Sequence, residues 1–266
     1  VIAARGVAVG YGARTVLRDI DLTLRAGELV AVVGANGSGK STLLRTLAGA
    51  QRTLAGTVSI DGTAIADMKP RVRAQHVALV AAEEIADATT FAREAVALGR
   101  LPYRPWWQWS EDDADEALIA AAMQRTDTAA FAERTMATLS SGEQQRVWIA
   151  SALAQRAPTL LLDEPTSHLD LAGAYATLDL LHGLADDGAA VAVVLHDLNL
   201  AAATADRLIL VGEGRLLADG PVNDVFREDL LSLAYGAPIG VHCTTDGGLA
   251  AVPRRTHTRI RSVSGV

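Results

Sequence analysis

One cysteine, Cys243, occurs in 266 residues, which excludes an internal disulfide and suits a reducing compartment. A small apolar packing residue is the role expected of it, rather than a reactive thiol. Lysine is almost as scarce: of 24 basic residues, only Lys40 and Lys69 are lysines. An excess of positive charge is missing too. Acids outnumber bases 31 to 24, for a net charge of −7, which argues against nucleic acid as a partner. Long apolar runs are absent, and stretches such as residues 189–195 fall far short of the ~18 residues a membrane span requires. No basic segment followed by an apolar stretch opens the chain, so no secretory signal is expected, and valine at position 1 reads as a trimmed start. With no internal repeat and no low-complexity linker, a soluble intracellular protein is the expectation.

What is present suits a packed globular chain of one or two domains, with 50% hydrophobic and 21% charged residues. Residues 6–11 and 20–24 alternate apolar with polar or small side chains, predicting an antiparallel pair of strands. Residues 29–33 are continuously apolar, the pattern of a strand buried on both faces. They run into a glycine-rich turn, after which Leu43, Leu44 and Leu47 take helical spacing over residues 40–48. Further strands are predicted at 57–60, 77–80, 159–162 and 189–195, with a closing hairpin of 208–211 and 215–218. Residues 82–156 read as an inserted, mostly helical subdomain, broken by a loop at 102–109 and restarted by Ser110 and Asp113 in a capping-box-like arrangement. Buried strands joined by helices predict an α/β core. Past Gly236 the pattern weakens, so a domain at 1–235 is followed by a solvated extension at 236–266. Arg254, Arg255, Arg259 and Arg261, with no acid after Asp246, leave contact with anionic lipid headgroups as the alternative there.

Three strand ends carry chemistry. Gly34-Ala35-Asn36-Gly37-Ser38-Gly39-Lys40-Ser41, followed by Thr42, fits the phosphate-loop pattern, which a random chain of this length matches about one time in a hundred. Glycines let successive backbone N–H groups converge on phosphate oxygens, and the following helix turns its positive end to the same anion. Lys40 is placed to reach the β- and γ-phosphates, and Ser41 to put a hydroxyl on magnesium. Asp163-Glu164 ends the strand at 159–162: Asp163 for magnesium, Glu164 for the water attacking the γ-phosphate. His196, at the end of 189–195, alone reads as a structural hydrogen-bonding residue; as a third polar group at the carboxyl ends of a nucleotide-binding sheet it contacts the γ-phosphate and orients that water.

Ser140-Ser141-Gly142-Glu143, after Leu139 and before Gln144-Gln145-Arg146, in isolation marks only a good helix N-terminus. Combined with the nucleotide motifs, it resembles the signature sequence of ABC-type ATPases, with Ser141 in place of that family's usual second glycine. The resemblance covers about residues 3–235. It implies a P-loop NTPase core of ABC ATPase type, with an antiparallel β subdomain and an inserted helical subdomain. It assigns adenine stacking to Tyr11, 29 residues before Lys40, a switch role to His196, and a loop passing between subunits to Ser167-His168-Leu169-Asp170. ATP and Mg2+ are the implied cofactors. Two copies would pair head to tail, each phosphate loop closing on the partner's signature segment.

A narrower similarity, carried by residues 96–103, 164–170 and 196–201, is to ATPases of iron-siderophore, haem and cobalamin importers. It implies two such subunits, two transmembrane permease subunits and a periplasmic or lipid-anchored substrate-binding protein, with this chain held at the cytoplasmic face of the membrane. The alternatives are an exporter ATPase, a soluble ABC ATPase in iron–sulfur cofactor assembly, and an inactive nucleotide-binding regulator. The last is motivated by a departure. Ala82 stands where the family usually has a glutamine that touches magnesium and senses the membrane subunits, so that either Glu83 performs a shifted version of that task or metal contact and coupling are altered. Trp106, Trp107 and Trp109, beside Arg104, read either as cover for the helical subdomain or as an anchor for a membrane subunit.

Overall fold

The computed structural model describes residues 1–82, 87–105, 112–245 and 247–254. The chain opens with β1 (Ile2–Tyr11) and β2 (Arg14–Leu24), antiparallel and longer than the alternation alone marks, because bulges interrupt the period. β3 (Glu28–Val33) then feeds the phosphate loop and α1 (Lys40–Leu47). β4 (Ala55–Ile60) and β5 (Thr63–Ala64) complete a four-stranded antiparallel sheet in the order β2-β1-β4-β5. α2 (Pro70–His76), unanticipated from the sequence, starts with proline at its first position, where no N–H partner is needed. β6 (Val77–Val80) follows it directly.

The helical subdomain contains α3 (Ala92–Ala97), α4 (Asp113–Arg125) and α5 (Ser141–Gln155). α4 is capped by Asp112, whose side chain accepts from the Asp115 N–H at 2.8 Å, instead of by the expected Ser110; a carboxyl side chain two residues nearer takes the position. Ser110 and the tryptophans at 106, 107 and 109 lie outside the described residues.

The chain returns through β7 (Thr159–Asp163), α6 (Leu171–Asp186), β8 (Ala190–Val194), α7 (Leu198–Thr204), β9 (Arg207–Gly212), β10 (Arg215–Pro221), α8 (Val222–Val225) and α9 (Glu228–Tyr235). Its six-stranded sheet runs β10-β9-β3-β8-β7-β6, parallel except for β10. In its described part the tail expected to be solvated after Gly236 is instead a hairpin, β11 (Ile239–Cys243) and β12 (Leu249–Pro253), packed on α7 and α9, while Arg255, Arg259 and Arg261 lie outside the described residues. Only the first half of the hairpin is covered, so Cys243 at the end of β11 is exposed and does not pack as expected.

Period-two alternation divides the core. Val30, Val32, Leu161, Ala192 and Val194 face a layer made by α1 and the antiparallel sheet, where Leu43, Leu44 and Leu47 are buried. Leu29, Ala31, Val33, Leu160, Leu162, Val191 and Val193 face α6 and the C-terminal helices. Each α1 leucine contributes about 1.5–3 kcal/mol by leaving water, which anchors the helix beneath its loop.

The helical subdomain has its own core, around Val96, Ile119 and Val147, and one buried ionic network. Asp115, 5% exposed, accepts from Arg100 Nε at 2.7 Å and Arg104 Nε at 2.8 Å, while Arg100 also donates to the Ala154 carbonyl at 2.8 Å. Burial alone would raise the Asp115 carboxyl, but the bonds and charges of Arg100 and Arg104 outweigh it and hold the pKa below the usual carboxylate range. Because the folded-state value is depressed, this stabilisation is complete above the unfolded value of about 4 and is lost as pH falls below it. Asp115→Ala, which takes the shared carboxylate from Arg100 and Arg104, is expected to cost about 3 kcal/mol in urea unfolding at pH 7. The difference between wild type and Asp115→Asn should shrink as the pH is taken from 6 to 3; a constant difference would contradict the ionic account.

Candidate nucleotide site

Register brings the motifs together. Val32 of β3 pairs with Val194 of β8, and Val194 pairs with Asp163 of β7, so the three parallel strands end in one row. Gly34, Glu164 and His196 follow those ends within a residue or two, at neighbouring strands about 5 Å apart.

The phosphate loop depends on glycine at two positions. Gly34 has φ 152°, and an added Cβ would lie 2.2 Å from the Val211 carbonyl oxygen of β9. Gly39 has φ 103°, and a Cβ there would press on Val16 and Leu17 at 2.7 and 2.9 Å. The loop is closed by the Ser38 N–H donating to the Ala35 carbonyl at 3.2 Å, and by Lys40 Nζ donating to the carbonyls of Gly34 (2.8 Å) and Ala35 (3.0 Å). Lys40 is 5% exposed; burial lowers its pKa, and the Glu164 and Asp163 charges oppose that shift.

Opposite the loop, Ser41 Oγ donates to Asp163 Oδ1 at 2.8 Å. Asp163 is 1% exposed, and burial raises its pKa against the Ser41 hydrogen bond. Its Oδ2 is buried with no hydrogen-bond partner, as is Ser38 Oγ. Glu164 takes a left-handed backbone, φ 56°, which turns the chain out of the strand and leaves its carboxylate lining the cleft. A non-glycine residue held this way carries about 1–3 kcal/mol of strain, tolerated where surrounding contacts fix it. One such contact is His196, whose Nε2 lies 2.5 Å from Glu164 Oε1.

The resulting cleft, about 600 Å3, is lined by Asn36, Gly37, Gly39, Lys40, Ser41, Thr42, Glu164 and His196, with Tyr11 at its rim. Tyr11 is 55% exposed, its hydroxyl 3.1 Å from Thr42 Oγ1, so its ring face is open to a flat ligand. Arg14 and Val16 of β2 also line it, and sequence reasoning missed both; the signal was the short Gly12-Ala13 turn that sets Arg14 opposite Tyr11. Tyr235 was missed as well: its hydroxyl accepts from the Gly34 N–H at 3.1 Å, and no motif surrounds it.

The second group of expected residues is not at this cleft. Ser140 caps α5 through a capping box, its N–H bonding Glu143 Oε2 at 2.7 Å and its Oγ accepting from the Glu143 N–H at 3.3 Å. Ser140 and Ser141 are exposed, and Gly142 lies against Leu169 and the His168 carbonyl, where a Cβ would meet Leu169 at 2.9 Å. Asp170 caps α6, accepting from the Gly173 N–H at 2.7 Å. None of Ser140, Ser141, Gly142, Glu143 or Asp170 lines the cleft that holds Lys40. Ala82 is half-buried just past β6, and Glu83 lies outside the described residues.

Comparison with known proteins gives the context. The family described as ABC transporter matches residues 17–167. The chain is 42% identical over 256 residues to a hemin import ATP-binding protein of Rhodococcus jostii, covering 96% of this chain and 86% of the relative. It is 38% identical to an achromobactin transport ATP-binding protein of Dickeya dadantii, covering 88% and 87%. Among solved structures, a metal-chelate type ABC transporter in an inward-facing conformation shares the fold, with a TM-score of 0.83 at 24% identity over 96% of this chain and 97% of that one. A dimeric bacterial ABC transporter cassette, MJ0796, aligns with a TM-score of 0.75 at 28% identity over 84% of this chain and 99% of that one. The family match over more than half of the chain, with relatives above 40% identity along nearly all of it, shows that the chain belongs to the ABC transporter family, as one of its ATP-binding, ATP-hydrolysing cassettes.

Proposed function

We propose that two copies of this chain power an importer of haem or of another iron chelate of the siderophore type, and that each ATP is enclosed between them. The observation that carries the pairing is spatial: the serine-capped N-terminus of α5 is exposed and lies outside the cleft that contains Lys40, Ser41, Glu164 and His196. An exposed helix N-terminus with two serines is built to receive an anion, so the phosphate it serves is one held by a second copy. The cargo reading is supported by relatives that are hemin and achromobactin transport proteins over nearly their whole length.

Within one copy, backbone N–H groups of the loop and the first turn of α1 hold the phosphates, with Lys40 adding charge to the β and γ positions. Tyr11 offers its open ring to adenine. A magnesium ion fits Ser41 and Asp163: a hydroxyl beside a buried carboxylate whose Oδ2 has no other partner is a hard oxygen donor set. Among the described residues no cluster of three or more His, Cys, Asp or Glu side chains exists, so Ser41 and Asp163 are the protein groups that would hold the ion. When bound, magnesium neutralises charge on the β- and γ-phosphates. His196 holds Glu164 Oε1 toward the cleft, which leaves Oε2 to take the proton of the attacking water as its oxygen bonds to the γ-phosphorus and ADP departs.

No helix among the described residues is long and apolar enough to cross a membrane. In the importer reading, which the relatives named as import ATP-binding proteins support, two permease subunits supply the pathway and hold this chain at the cytoplasmic face. A substrate-binding protein delivers cargo on the far side. The permease seat is the groove between the subdomains lined by Leu79, Val80, Leu98, Gly99 and Trp148. There Leu98, 48% exposed, presents an apolar side chain, and Gly99 packs against the Ser151 carbonyl, which a Cβ would approach to 2.1 Å.

Two experiments follow. Glu164→Gln should retain ATP affinity within about threefold while turnover falls roughly 100- to 1,000-fold, whereas Lys40→Ala should weaken ATP binding roughly 10- to 100-fold. Wild-type turnover in Glu164→Gln would remove that residue from the mechanism. Leu98→Asp should leave the basal ATPase rate unchanged and abolish its stimulation by the permease subunits in detergent or nanodiscs. Undiminished stimulation would move the permease seat elsewhere, and co-purification with a soluble assembly complex would favour the cofactor-assembly alternative.

A further inference from the structure

A hydrogen bond joins α9 to the start of the phosphate loop. Tyr235 ends α9, just before Gly236, whose left-handed φ of 64° stops the helix. Its hydroxyl accepts from the Gly34 N–H at 3.1 Å, while the Gly34 carbonyl accepts from Lys40 Nζ at 2.8 Å. Gly34 is therefore held on both sides, by the C-terminal helix and by the phosphate-binding lysine. It has little freedom to move otherwise, because its α-carbon is packed against the Val211 carbonyl.

The surroundings keep the Tyr235 hydroxyl neutral and in place. Burial pushes its pKa up to about 12, against the Gly34 N–H bond, which lowers it, and with a smaller upward push from the Asp197 carboxylate. Asp197 caps α7, accepting from Asn199 and Leu200 N–H groups at 2.8 and 3.1 Å, and follows His196 directly. Tyr235 thus stands between the start of the phosphate loop and the turn that carries His196. α9 is itself fixed: Leu231 and Ala234 are buried, and Ala234 lies against Gly212, where a Cβ would come within 3.1 Å of the Ala234 α-carbon. The hairpin braces it from outside. Ser232 Oγ accepts from the Ile239 N–H at 3.0 Å and Glu228 from the Val241 N–H at 3.0 Å, while the other strand ties to α7, the Ala251 N–H donating to Asn199 Oδ1 at 2.7 Å.

We propose that Tyr235 is a positioning residue for ATP binding, fixing the Gly34 amide from the C-terminal helix and, through Gly34, the seat of Lys40. It touches no part of the nucleotide. It holds the backbone to which the lysine is bonded, so its effect falls on the ground state and the transition state alike. The inference rests on the nucleotide reading of the loop, which wild-type binding tests separately.

Tyr235→Phe removes the hydroxyl and keeps the packed ring. Three readings are needed on the full chain: affinity for a fluorescent ATP analogue, the split of kcat and KM, and hydrogen exchange of the peptide spanning residues 33–40 without nucleotide. The expected result is about 5- to 10-fold weaker binding and a matching rise in KM, with kcat within twofold and faster exchange across that peptide. Ser232→Ala removes a contact of the same C-terminal unit without touching the loop, and should bind as wild type does. Wild-type affinity and exchange in Tyr235→Phe would overturn the proposal, and so would an equal loss of affinity in Ser232→Ala. Failure of the wild-type chain to bind ATP would instead remove the nucleotide reading itself.

Discussion

β3 is buried on both faces, with Val30 and Val32 against α1 and the antiparallel sheet and Leu29, Ala31 and Val33 against the C-terminal helices. A strand clamped between two apolar layers has no freedom to shift by a residue, because a slip of one would send every side chain to the wrong layer. Its carboxyl end therefore arrives at a fixed height beside the ends of β8 and β7. From that row come the phosphate loop, the Asp163-Glu164 turn and His196. The chemistry sits at the strand ends because the burial beneath them leaves no alternative register.

The site built there is electrostatically incomplete. Lys40 and Asp163 are both nearly buried, and in each case loss of water disfavours the charged form. They compensate one another only partly, and Asp163 Oδ2 and Ser38 Oγ are left without partners. Unpaired buried polar atoms are costly, about 1–3 kcal/mol each, and a fold retains them where a ligand supplies the missing bonds. A polyphosphate with its cation offers both the acceptors that the loop lacks and the charge that Asp163 lacks. The strained backbone at Glu164 belongs to the same economy of position: it takes one carboxylate out of the strand's alternation while its neighbour stays inside.

Much of this was legible in the sequence because it is written in short local patterns. Residues 29–33, 159–162 and 189–195 are apolar without alternation, which marks doubly covered strands, and the phosphate loop has a spacing that few other structures need. What was not legible depends on contacts between distant residues or on competition between equivalent neighbours. The hairpin at 239–253 is rich in glycine and alanine, and its burial fades along each strand where a one-sided sheet would alternate, so it carries no strong period. Asp112 and Ser110 are rival caps two residues apart, and the sequence holds nothing to rank them. Arg100 and Asp115 meet from 15 residues apart, and Tyr235 reaches Gly34 from 201 residues away. None of these pairs leaves a mark within the window of one element.

The account rests on each ATP lying between the glycine cradle of one copy and the serine-capped helix of the other. Complementation tests this most directly, using Lys40→Ala and Ser141→Arg, each made in the Glu164→Gln background that holds ATP. A homodimer of either has a defect in both sites, whereas a mixed dimer has one site with an intact cradle and an intact capped helix. Equimolar mixing is expected to restore occluded ATP, about one nucleotide per mixed dimer, where neither variant alone occludes any. Occlusion by Ser141→Arg alone at the level of the mixture would contradict the composite site.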